Sequence, residues 1–114
     1  AAAHHWRAAT GPDSINSARA AWLCSRVHAV VGDGEAALRS AERCDTITAA
    51  SPDAQDFDRV YAIEGRARAL ACLGRIDEAR ELRQAALDAV AAVADDEDRK
   101  ILDGDLADPP WFGL

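Results

Sequence analysis

Two stretches of this chain close in the same way. Residues 25–37 read SRVHAVVGDGEAA and residues 67–79 read ARALACLGRIDEA, with Gly32 and Gly74 at the same place in each. Sliding the sequence by 42 residues superposes Ala20 on Ala62, Arg26 on Arg68, Ala29 on Ala71, Gly32 on Gly74 and Ala37 on Ala79. A glycine after a helix-forming run takes up the left-handed conformation that ends an α-helix at little steric cost. Each glycine is followed by a second Ala-rich run. The unit is therefore helix, tight turn, helix, and it occurs twice. A hairpin of this kind cannot bury its apolar side alone and stacks on its copy.

The rest of the chain agrees with an all-α fold. Hydrophobic residues make up 49% of the 114 residues, yet aromatics only 5%. The core must therefore be built from closely packed alanines with a few Leu, Val and Ile. No β-branched alternating run suggests a strand. Pro12, Pro52, Pro109 and Pro110 all fall at apparent boundaries, where a helical chain tolerates them. The sequence reads as one domain, 1–114. A short helix lies around 2–9, one hairpin over 14–49 and a second over 56–94. A terminal helix over 96–106 begins in the acidic run at 95–98, and an apolar tail occupies 107–114. The chain opens inside helix-like sequence, so a piece of a longer helical array is also an open reading.

Spacings of three and four put an apolar stripe on each helix, the mark of a helix packed on one side. Ala20, Cys24, Val27 and Val31 form one. Ile63, Ala67, Leu70 and Leu73 form another, and Ile76, Ala79, Leu82, Ala86, Val90 and Val93 a third. Cys24, Cys44 and Cys72 sit inside helices without pair spacing. They read as small buried residues of a protein in a reducing compartment, the cytoplasm.

A net charge of −7 argues against nucleic acid and against an anionic membrane surface. No segment is long and apolar enough to span a bilayer. His4 and His5 diverge by about 100° on a helix, and His28 has no ligand at metal spacing. The sequence contains no phosphate-binding loop or strained nucleophile turn. Neither a metal, a cofactor nor catalysis is expected.

The two hairpins resemble tetratricopeptide-like repeats. That family sets a small residue seven before the turn glycine, an alanine five after it and a small residue seven further on. Here the sets are Ser25-Gly32-Ala37-Cys44 and Ala67-Gly74-Ala79-Ala86, and LGRIDEA at residues 73–79 is the closest stretch. The chain departs from the pattern in its longer repeat, in Trp22 one place late, and in Glu64 where an aromatic is usual. It is also similar to a group of bacterial helical-repeat proteins of unassigned function. The resemblance implies antiparallel hairpins stacked as a short right-handed solenoid, whose groove is lined by the first helix of each hairpin. It implies a protein or peptide partner held in that groove by Arg19, Trp22, Arg26, Tyr61, Glu64 and Arg68. Read from the residues alone, Glu64 and Arg68 are an ordinary i,i+4 pair, Arg26 can bridge to Glu64, and Trp22 can belong to the core. The tail leaves three outcomes for Trp111, Phe112 and Leu114: a cap on the chain's own last helices, a contact in a homodimer, or an outside partner. A structural, self-associating domain without an external ligand is the competing role.

Overall fold

The computed structural model describes residues 11–114. The short helix read over 2–9, with His4 and His5, lies outside the described residues. Among the described residues the fold is all-α, with five helices and no strand: α1 Ile15–Val30, α2 Gly34–Ala50, α3 Asp56–Cys72, α4 Ile76–Ala91 and α5 Asp96–Ala107. Helix α1 packs on α2, and α3 on α4. Helices α2 and α1 both lie against α3, while α5 rests on α3 and α4. No helix among the described residues is long and apolar enough to cross a membrane.

Local chemistry fixes the helix ends. The Ser14 Oγ accepts from the Ser17 N–H at 3.3 Å, Asp33 Oδ1 accepts from Ala36 N–H at 3.1 Å, and Asp95 Oδ1 accepts from Asp98 N–H at 2.9 Å. Each carboxylate or hydroxyl satisfies a donor that a helix start leaves free. The 42-residue correspondence recurs in the backbone. Gly32 and Gly74 both have positive φ, 85° and 78°. Gly32 N–H donates to Ala29 and Asp33 N–H to His28, at 3.0 and 2.9 Å. Gly74 N–H donates to Ala71 and Arg75 N–H to Leu70, also at 3.0 and 2.9 Å. This double bond around a left-handed glycine is a Schellman closure, made twice from matched positions.

Small residues let the helices approach. Ala29, Ala37 and Ala69 form one buried cluster, while Ile15, Ala18, Ala21, Cys44, Ile47 and Ala62 form another. Gly65 marks the closest approach: a Cβ there would lie 3.2 Å from Ser25 Oγ, 3.4 Å from Trp22 Cδ1 and 3.5 Å from Ala41 Cβ. Three helices meet at that point because α3 has no side chain there.

Two expectations need correction. Helix α4 stops at Ala91 and does not continue to residue 94. Ala92 and Val93 donate to the third residue back, tightening the last turn. Val93 then drops into a core with Val90, Leu102 and Leu106, and Arg99 Nη1 donates to its carbonyl at 2.7 Å. The stripe Ala20, Cys24, Val27 and Val31 of α1 faces solvent, and Cys24 with it. The buried face of α1 is instead Ile15, Ala18, Ala21, Ser25 and Ala29. The smaller side chains win that position because only they allow α1 to lie close to α2 and to Gly65 of α3.

Candidate functional site

Between α1 and α3 lies a cleft of about 250 Å³, walled by Trp22 and Leu23 of α1, Phe57 and Tyr61 of α3, Cys44 and Thr48 of α2, and Asp105 of α5. A second cleft of about 180 Å³ adjoins it, lined by Phe57, Tyr61, Asp98, Ile101 and Leu102. Phe57 and Tyr61, one helical turn apart on α3, form the ridge between the two. The chain has six aromatic residues by count of Trp, Tyr and Phe, and three of them border this one place. In an alanine-built molecule that concentration is where most contact area is available to a ligand.

The floor of the cleft is a polar network. Arg19 grips Asp58 with two parallel bonds, Nε to Oδ1 at 2.9 Å and Nη2 to Oδ2 at 3.0 Å. The guanidinium also stands 5.4 Å over the Phe57 ring. Trp22 Nε1 donates to Glu64 Oε2 at 2.5 Å, and its ring meets Tyr61 at a centroid distance of 4.5 Å. The Tyr61 hydroxyl donates to Asp105 Oδ2, tying α3 to α5.

Beneath it, Glu64 and Arg68 are 0% and 1% exposed. Arg68 Nε donates to Glu64 Oε1 at 2.7 Å, and Arg26 Nη1 stands 3.6 Å from the same oxygen. The remaining Arg68 donors reach three backbone carbonyls: Asp108 at 2.8 Å, Pro110 at 2.7 Å and Asp105 at 3.1 Å. Burial pulls the Arg68 guanidinium down from its usual range, and the Glu64 charge opposes that shift. The six residues proposed to line a groove are therefore brought together, at two depths. Trp22, Tyr61 and Arg19 border the cleft. Arg26, Glu64 and Arg68 hold the molecule together below it, with Glu64 and Arg68 out of reach of a ligand.

The tail folds onto its own chain. Trp111 is buried, and its indole N–H donates to the Leu106 carbonyl at 2.7 Å. Arg68 and Arg83 lie over its ring at 4.1 and 4.7 Å. Leu114 packs on the same cluster, while Phe112 is exposed. Among the described residues, Arg83 Nε is the one buried side-chain polar atom without a hydrogen-bond partner. The ring beneath its guanidinium provides the compensating attraction.

Leu23, Phe57, Asp58 and Asp105 were not singled out from the sequence. The i,i+4 aromatic pair Phe57–Tyr61 was the legible signal, since such a pair shares a helix face. Asp58 and Asp105 had none, because their partners are 39 and 44 residues away.

The titratable groups in the cleft are poor nucleophiles. Burial pushes the Cys44 thiol up from 9.0 to about 11. Burial, with the Asp105 bond, also raises the Tyr61 phenol. Both groups bind their proton more tightly folded than unfolded. The folded state thus holds more protons at high pH, and stability falls as pH rises. The Cys44 contribution is fully present below about pH 9 and is lost as pH rises through about 11. The urea midpoint is expected to be flat up to pH 9 and to decline above it, and Cys44→Ala is expected to flatten the decline. A midpoint constant to pH 11 would contradict this.

Among the described residues no group of three or more His, Cys, Asp or Glu side chains is placed to hold a metal ion. No family model, curated protein or solved structure matches the chain.

Proposed function

We propose that this chain is a polypeptide-binding module of tetratricopeptide-like build, its two hairpins forming a short right-handed solenoid, and that it acts without catalysis. The observation that carries the reading is the pair of adjoining clefts around the Phe57–Tyr61 ridge. Together they offer two apolar seats on either side of that ridge, with Asp98 and Asp105 at the margin. A helical or extended segment with two apolar anchors fits such seats, as in helix-in-groove recognition. The recurrence of the glycine closure after 42 residues supports the repeat reading. Catalysis finds no support in a cleft whose carboxylate Asp58 is held by Arg19 and whose thiol is kept protonated.

Selection of a random peptide library on the wild-type chain tests the proposal, with Phe57→Lys as the counter-selection. Peptides that bind are expected to carry paired apolar anchors, to shift the Trp22 indole resonance, and to lose at least about tenfold in affinity on Phe57→Lys, a change of about 1.4 kcal/mol. Peptides indifferent to Phe57→Lys that leave Trp22 unmoved would sink it. A self-associating structural role is the second reading, favoured by the apolar outer face of α1.

A further inference from the structure

We infer, resting on the polypeptide-binding reading of the adjoining clefts, that their occupant is a basic amphipathic segment, with Lys or Arg side chains on either side of an apolar anchor. Helix α5 supplies the matching wall. Asp98, Ile101, Leu102 and Asp105 fall at i, i+3, i+4 and i+7 and so share one face of the helix. Asp98, Ile101 and Leu102 line the smaller cleft, and Asp105 lines the larger one. The wall reads acid, apolar, acid, and its two carboxylates start about 10 Å of helix rise apart. Ile101 between them is 58% exposed, so the apolar part is open to a ligand.

Charge decides what flanks the anchor. The cations of α1 beside the clefts are already engaged: Arg19 is held in two bonds by buried Asp58, and Arg26 stands between Glu64 and Asp108. On α5, Arg99 and Lys100 pair with Asp96 and Glu97. Asp98 and Asp105 are half-buried, and among the described residues neither has a cation within ion-pair distance. Residues 95–114 carry seven acids against two bases. The field reaches the aromatic ridge. Burial and the Asp105 bond raise the Tyr61 phenol, the Asp105 and Glu64 charges add to that, and Arg26 opposes it. A half-buried carboxylate without a counter-ion attracts a cation more strongly than a fully solvated one. An acidic segment meets repulsion from this wall, and so does a second copy of a chain whose net charge is −7.

Peptides selected on the wild-type chain from a random library, sequenced and then titrated against variants, test this. Asp98 is the cleaner handle, because Asp105 also holds Tyr61. Peptides that need Phe57 are expected to carry Lys or Arg on both sides of the apolar anchor and to weaken as salt rises from about 50 to 500 mM. They are expected to lose about two- to fivefold in affinity on Asp98→Asn and at least about fivefold on Asp98→Lys. Asp88→Lys makes the same charge change at an exposed position of α4 and is expected to cost less than about twofold. Phe57-dependent peptides without basic enrichment, or indifferent to both Asp98 changes, overturn the inference and leave the cleft reading standing. So does an equal loss on Asp88→Lys, which would mean attraction to the whole chain. Recovered peptides that all ignore Phe57→Lys remove the cleft reading and the inference together. A wild-type dimer in sedimentation that Phe57→Lys dissociates would put a second copy in the clefts and overturns the inference.

Discussion

Arg68→Ala is expected to remove about 3–5 kcal/mol of stability, the usual cost of breaking a buried ion pair from one side. The total for a domain of this size is about 5–15 kcal/mol, so a large share of the folded population is at risk. The loss has three parts. Glu64 remains fully buried with only Trp22 and the more distant Arg26 beside it. The carbonyls of Asp105, Asp108 and Pro110 lose their donor. The Trp111 ring loses the nearer of its two cations. Adding Glu64→Gln is expected to restore only part, because the three carbonyls still lack a donor. Urea unfolding followed by circular dichroism measures both, and an Arg68→Ala chain within about 1 kcal/mol of wild type would refute the account.

Trp111→Ala is expected to cost about 3–5 kcal/mol, as large aromatic truncations in a core do. Phe112→Ala, one residue on and exposed, is expected to change stability by no more than about 0.5 kcal/mol. The contrast between adjacent aromatics is the test: equal effects would mean that Trp111 is not held as described. Arg68 and Trp111 touch, so their effects are not independent. The Arg68→Ala/Trp111→Ala double variant is expected to lose at least about 0.5 kcal/mol less than the two singles together, measured as a double-mutant cycle.

Much of the architecture was legible because it is local. Gly32 and Gly74 end helices through their own backbone freedom, and the acidic run at 95–98 begins one through the Asp95 bond to a residue three along. Such signals need no knowledge of the rest of the chain. The orientation of α1 was not legible for a physical reason. The helix is apolar on two sides, with Ala18, Ala21 and Ala29 on one and Leu23, Val27 and Val31 on the other. Periodicity favours the larger residues, whereas close packing against Gly65 requires the smaller ones. The burial of Glu64 and Arg68 was hidden in the same way. An i,i+4 pair reads as a solvated surface feature, and it is covered only by the packing of α1 and the return of residues 105–110. The cleft was half legible: Trp22 and Tyr61 stood out as rare aromatics, but Asp58 and Asp105 reach it through tertiary pairing alone.

The two ends of the hairpin pair differ in a way that bears on enlargement. At the C-terminal side, α5 and Trp111 seal the last helices, and Arg68 locks that seal from inside. At the N-terminal side, α1 leaves Leu23, Val27 and Val30 exposed. A helix joined after Leu106 would have to displace a buried tryptophan and three carbonyl bonds. Any extension of the helical stack past α5 therefore requires the tail to be released first.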